Sequence, residues 1–143
     1  MTDAVGGSIA LLFLVSTVRL HAEEKTARLP DLTEIQVVSS LDGEEQSIVY
    51  WSPENARTES HPMLVFLHSW SGNYQQKNDK WQREAVARNW LYLHPDFRGP
   101  NSSPKACGSR FARQDILDAM DWATRTFQID PNRIYLAGTS GGG

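Results

Sequence analysis

The chain has 143 residues, 40% of them hydrophobic and 22% charged, with a formal net charge of -3. This is the balance of a globular protein with enough chain to bury one core, and it excludes a disordered polyelectrolyte. The mild acidity, without a basic stripe or a long run of like charge, leaves no electrostatic footprint for nucleic acid.

Residues 9–18 form an apolar run of signal-peptide length, and "LHA" follows, with Ala22 placed just before a candidate cleavage site. The run is shorter than the roughly 20 apolar residues of a membrane span, so no stable membrane anchor is expected. Asp3 stands where a signal peptide carries Lys or Arg, and the nearby cation, Arg19, comes after the run. The reading is a signal peptide over 1–22 and a secreted or periplasmic protein. A buried hydrophobic segment or a misplaced start, in a cytoplasmic protein, is the other reading.

From residue 23 to 143 the chain reads as one continuous domain without repeats or linkers. "TEIQVVSSLDGEEQSIVYWSP" holds two β-rich runs around Asp42-Gly43, a hairpin at a sheet edge with a loop of about six residues. "NARTESHP" is a polar loop. "MLVFLHS" then runs unbroken, as in a strand buried on both faces of a parallel sheet. "NDKWQREAVARN" reads as a helix capped by Asn78 or Asp79, and "WLYLHPD" as a second buried strand. "FRGPNSSPKACG" is a loop by composition.

"SRFARQDILDAMDWATRTFQ" places Ala112, Ile116, Ala119, Met120, Ala123 and Phe127 on one helical stripe, with Arg113, Asp118, Asp121 and Arg125 facing elsewhere. A turn at "IDPNR" and a strand "IYLAG" complete the pattern. Hairpin, strand, helix, strand, helix, strand is an α/β alternation, which calls for a mostly parallel sheet.

The last strand runs into Gly138-Thr139-Ser140-Gly141-Gly142. G-x-S-x-G between strand and helix is a nucleophile elbow, a turn tight enough to hold a serine hydroxyl clear of the backbone. A phosphate-binding reading fails on residue type: the segment lacks the Lys-Ser/Thr of a P-loop, and its glycines do not form G-x-G-x-x-G. Gly138 and Gly142 suit close packing of the turn, and Ser140 is expected in a strained backbone conformation. The oxyanion formed in acyl transfer needs two donors. One is the amide of Gly141, and the other belongs on the loop after the first central strand, "LHSWSGNY".

"LVFLHSWSGNY", "LHPDFRGPNSSPKACGS" and "QDILDAMDWATRTFQIDPNRIYLAGTSGGG", in that order, resemble the N-terminal half of an α/β-hydrolase catalytic domain of the prolyl oligopeptidase family, over residues 62–143. The resemblance implies a serine hydrolase acting on peptide or ester bonds, with Ser140 as nucleophile. His68 to Gly72 resembles the H-G-x-x-G oxyanion loop of esterases with Ser69 at the first glycine, which implies the Trp70 amide as second donor. The fold typically has about eight strands, so the sheet is expected to be incomplete in this chain, with its last strand at an exposed edge. In this fold the triad runs Ser, Asp or Glu, His along the chain. The base and its orienting acid are therefore expected after residue 143, and the 143-residue polypeptide alone is expected to be inactive.

His68 is read as shaping the oxyanion loop, His94 as structural, and His61 as lying in a polar loop; His21 falls beside the signal segment. Asp96 and Arg98 lie at the C-terminal end of a parallel strand, where substrate contact and a structural salt bridge both remain open. Trp70 and Tyr74 are read either as lining an acyl or side-chain pocket or as ordinary aromatic packing. Cys107 has no cysteine partner in the chain. Four scattered histidines give no zinc spacing, and no metal or other cofactor is expected. A carbohydrate or lipid esterase and a non-catalytic binding module of the same fold are the alternatives to a peptidase.

Overall fold

The computed structural model describes residues 28–143. The apolar run over 9–18, the candidate cleavage site and His21 lie outside the described residues. Among the described residues five strands form one sheet: β1 (Thr33–Val38), β2 (Glu45–Trp51), β3 (His61–Leu67), β4 (Leu91–Pro95) and β5 (Ile129–Gly138). Among these residues two helices accompany them, α1 (Asp79–Ala87) and α2 (Arg110–Thr126), and a 3-10 turn over Ser140–Gly142 follows β5. The strand order is β1-β2-β4-β3-β5. β1 and β2 pair antiparallel, β2 runs antiparallel to β4, and β3 is parallel to both β4 and β5.

The hairpin forms as the sequence predicts, with Gly43 at φ 79° supplying the positive φ that its turn requires. Of its two strands, however, β1 alone lies at the sheet edge. β2 is interior, because Ile48 to Trp51 pair with β4 on the other side. β3 and β4 owe their unbroken apolar runs to burial on both faces. Met63, Val65, Leu91 and Leu93 pack with Ile48, with Ala119 and Ala123 of α2, and with Phe127 just after that helix. Leu64, Phe66 and Tyr92 point the other way, against Ala85 and Trp81 of α1. Alternation along each strand thus divides the core in two, with one helix on each face.

Pro62, which has no N–H to give a ladder, sits where the β3–β5 register shifts between His61 and Met63. The predicted "IDPNR" turn is accommodated inside β5 as the irregularity opposite Pro62, so the strand begins at Ile129 rather than after Arg133. Asp130 accepts from the Asn132 amide at 2.9 Å and from Arg133 Nε at 2.6 Å there. His61 is not in a polar loop: it opens β3, is buried, and its Nδ1 lies 2.9 Å from the Asn89 carbonyl oxygen.

Ser109 starts α2, its Oγ accepting from the Ala112 amide at 3.2 Å. The predicted stripe holds, with one addition: Asp115 is buried on the same side. Within the described residues β5 pairs with β3 alone, and Leu136 on it is 59% exposed. Among the described residues no helix is long and apolar enough to cross a membrane.

Candidate active site

The chain leaves β3, passes through α1 to β4 on one side of it, then crosses back through α2 to β5 on the other side. The loops leaving the carboxyl ends of β3 and β5 consequently diverge from a crevice, the place where open α/β sheets put ligands. Ser140 leaves β5 at this point and the 68–72 loop leaves β3.

Ser140 has φ 54°, a left-handed conformation that costs a side-chain-bearing residue about 1 kcal/mol or more. The turn is held by two hydrogen bonds, Gly142 N–H to the Thr139 carbonyl and Gly143 N–H to the Ser140 carbonyl, each 3.0 Å. The Gly141 amide takes part in neither. Glycine at 138 and 142 is a steric requirement. A Cβ on Gly138 would lie 2.0 Å from the Gly142 carbonyl oxygen, and one on Gly142 would lie 2.4 Å from that of Leu67 and 2.6 Å from that of His68. Both obstacles are backbone, which has no flexible end to yield. Gly142→Ala is expected to destabilise the fold by about 3 kcal/mol, read as a lower midpoint in urea denaturation; an unchanged midpoint would show that the elbow does not pack this way.

The same packing brings together the two predicted donors. A Cβ on Gly141 would stand 2.9 Å from the Trp70 nitrogen and 3.0 Å from its Cα. Residues 69–72 form a β-turn closed by the Gly72 N–H to the Ser69 carbonyl at 3.0 Å. Among the described residues the Trp70 amide, at the second position of that turn, has no backbone acceptor. Ser69 in place of a glycine has its own use: its amide and its Oγ both donate to Gln76 Oε1, at 2.9 and 2.7 Å. Gly72 leaves room for that side chain, since a Cβ there would fall 2.1 Å from the same oxygen and displace it.

His68 lies beneath this turn, fully buried. Its Nδ1 is 2.9 Å from the Ser69 carbonyl oxygen and its Nε2 is 2.5 Å from the Asp96 carbonyl oxygen. The ring stacks on Phe97 with centroids 4.0 Å apart, and a Cβ on Gly99 would strike it at 2.5 Å. Fully buried and with each nitrogen turned to a carbonyl oxygen, it faces no serine hydroxyl, so it braces the loop instead of serving as a base. The Asp96 carboxylate accepts from the Tyr74 amide at 3.2 Å, and burial raises its pKa.

His94, on β4, packs edge-on to Phe66 and is 1% exposed, with no partner for Nε2 among the described residues. Burial, reinforced by the charge of His68, pushes its pKa down to about 3. A depressed histidine pKa gives stability that is complete above the unfolded value near 6.5 and is lost as pH falls toward the folded one. Between about pH 6.5 and 4 the fold should therefore weaken on acidification, by at most about 1.4 kcal/mol per pH unit. His94→Leu should flatten that limb in denaturation midpoints taken across the range; an equally steep limb in the variant would assign the slope to other groups. Asp96, whose pKa is raised, acts in the opposite sense at the acid end, so the comparison between the two proteins carries the test.

Solved structures share this architecture. The chain superposes on the acylaminoacyl peptidase of Pyrococcus horikoshii with a TM-score of 0.66 at 22% identity, over 85% of this chain and 21% of that one. An esterase from Rhizomucor miehei gives a TM-score of 0.59 at 17% identity, over 99% of this chain and 46% of that one. The fold is that of the α/β-hydrolases. No protein-family model matches the chain. Among curated proteins, a bifunctional acetylxylan esterase/xylanase of Neocallimastix patriciarum is 29% identical over 103 residues, which are 71% of this chain and 15% of that protein. The chain thus spans less than half the length of each of these relatives.

Within the α/β-hydrolase frame two predicted contacts move. Arg98 does not reach the crevice as a substrate contact. Its side chain is 4% exposed and held from several sides. Nε donates to Asp115 Oδ2 at 2.5 Å, Nη1 to Asp42 at 3.0 Å and to Glu44, and Nη2 to Asp115, Asp42 and Ser39 at 3.2, 2.7 and 3.1 Å. These bonds, from Asp115 and Asp42 above all, raise the guanidinium pKa further, and the Arg98 contact holds Asp42 well below the usual carboxylate range. The open alternative of a structural ion pair is the one realised, and Arg98 fastens the β1–β2 hairpin to α2.

Tyr74 lines a cleft of about 550 Å³ with Pro30, Asn78, Gln82 and Tyr92, and no elbow residue borders it. The cavity beside the elbow, about 410 Å³, is bordered by Leu67, Phe97, Ile116 and Leu136 together with Gly138 and Gly141. Trp70 stays at the site, 58% exposed. Gln76 and Asn101 are polar residues of the site's frame that the sequence reading did not single out, since neither belongs to a motif. Among the described residues no cluster of His, Cys, Asp or Glu is arranged to hold a metal ion.

Proposed function

We propose that this chain supplies the nucleophile and oxyanion hole of a serine hydrolase that works through an acyl-enzyme. The observation that carries the reading is the contact between two turns: Ser140 at φ 54° on one, the Trp70 amide on the other, with Gly141 packed against it. Ser140 Oγ attacks a carbonyl carbon, the Gly141 and Trp70 N–H groups stabilise the oxyanion, and water later releases the acyl group. The base must take the Ser140 proton and return it to the leaving group. None of the described histidines suits this role: His68 has both nitrogens engaged, and His61 and His94 are buried on strands. The base and its orienting acid are accordingly proposed to come from outside the described residues.

Ester carbonyls are favoured over peptides because the curated relative is named an acetylxylan esterase/xylanase. The peptidase reading keeps its support from the likeness to acylaminoacyl peptidase. A fluorophosphonate probe applied to the protein as its gene encodes it should label Ser140, and the 143-residue polypeptide should give no turnover. Parallel assays on acetylated xylan oligomers and on acylated aminoacyl peptides separate the substrate classes. Absence of labelling in the folded gene product would leave a non-catalytic module of this fold.

A further inference from the structure

We propose that Asn101 is a positioning residue for the Trp70 oxyanion donor, an inference that rests on the hydrolase reading above. The Trp70 N–H lies in the Ser69–Trp70 peptide plane, and that plane keeps its place only while the peptide on the other side of Trp70 is held as well. In a trans peptide the C=O and N–H point opposite ways, so anchoring the Ser69 carbonyl aims the Trp70 N–H away from it. His68 Nδ1 and the Gly72 amide provide that anchor, at 2.9 and 3.0 Å. The plane on the far side of Trp70 is held by one contact, the Asn101 N–H donating to the Trp70 carbonyl at 2.8 Å.

Residue 101 does this only if its own backbone is fixed, and its side chain fixes it. The carboxamide is buried, 1% exposed, and Oδ1 accepts the Cys107 amide at 3.1 Å. The Asn101 carbonyl accepts Cys107 Sγ–H at 3.0 Å. The 98–107 loop is thus folded back on the carboxamide. Cys107 at φ 54° and Arg98 at φ 73° both hold conformations that surrounding contacts must impose. Without an acceptor at 101 the Cys107 N–H loses its protein partner, the loop relaxes, and the peptide that holds Trp70 in place from the far side is released. Among the described residues Nδ2 has no partner, which identifies the acceptor oxygen as the half of the carboxamide that works here.

The test compares Asn101→Ala with Asn101→Asp, which keeps an acceptor for Cys107, in the protein as its gene encodes it. Asn101→Ala should lower kcat roughly tenfold or more, within the 100- to 1000-fold of losing a donor outright, with KM within about twofold; Asn101→Asp should recover most of it. Should the alanine variant fail to fold, Asn101→Ser, too short to reach the Cys107 amide, takes its place with the same expectation. In the 143-residue chain the amide NMR resonance of Trp70 should shift and broaden in Asn101→Ala and stay close to the parent in Asn101→Asp. An unchanged Trp70 resonance, or an unchanged kcat in a protein whose Ser140→Ala variant is dead, overturns the positioning role. Turnover that survives Ser140→Ala overturns the hydrolase reading instead, and the Trp70 resonance still decides whether Asn101 holds the loop.

Discussion

Ser140→Ala is expected to reduce kcat of the gene product by about 10,000-fold or more and to abolish labelling by a fluorophosphonate, while its denaturation midpoint rises slightly or stays the same. The size of the loss follows from the chemistry: without the hydroxyl there is no acyl-enzyme, and only the oxyanion hole and binding remain to assist water. The direction of the stability change follows from the backbone. Ser140 sits at φ 54° whichever side chain it carries, and its hydroxyl has no described role in holding the turn. Alanine leaves the strain and the two turn hydrogen bonds in place. Full activity in Ser140→Ala would place the nucleophile elsewhere, and a collapse of stability would mean that the serine is there to build the turn.

Arg98→Met is expected to cost about 3–5 kcal/mol of folding stability, more than any other single side-chain change proposed. The arginine side chain is 4% exposed and that of its partner Asp115 is fully buried on α2, so removing the cation strands a carboxylate in the core. Buried pairs of this kind contribute little when compared with well-packed apolar residues, and much when only one member is taken away. The double variant Arg98→Met/Asp115→Leu should therefore recover most of what Arg98→Met loses. Arg98→Lys should not, because a single ammonium cannot make the forked contacts to Asp115 and Asp42 together. Urea titrations of the three variants check this, and equal losses in the single and double variants would show that the pair was not the cause.

The contrast between those two residues shows what the sequence could and could not reveal. The turn at Ser140 was legible because it is local: a strand, a tight turn and glycines at fixed offsets are adjacent in the chain. The apolar runs of β3 and β4 and the Asp42-Gly43 hairpin were legible for the same reason, since burial on two faces and a positive φ leave marks within a few residues. Arg98 was not, because its partners come from two other parts of the chain, Ser39, Asp42 and Glu44 from the hairpin loop and Asp115 from α2. Asp115 reads as one more polar residue of an amphipathic helix until the hairpin loop is folded over it. Tyr74 misled in another way: it belongs to the correct loop, but the Ser69–Gly72 turn reverses the chain before reaching it, which delivers it to a different cleft. The start of β5 was hidden because Asp130-Pro131 signals a turn, and the sheet absorbs that turn as an irregularity opposite Pro62.

The pairing of β5 with β3 has a kinetic side. Leu67 faces Gly138 across the ladder, about 70 positions away in sequence. The hairpin of β1 and β2 closes over a handful of residues, but this parallel pair must close a long loop before it gains anything. It is also the pair that carries one proposed oxyanion donor on each strand's exit. The two amides come within reach of one another only when the slowest contact of the sheet has formed. A partly folded chain therefore holds a serine of ordinary reactivity, and acquisition of probe reactivity during refolding would serve as a clock for the last step of assembly rather than for collapse.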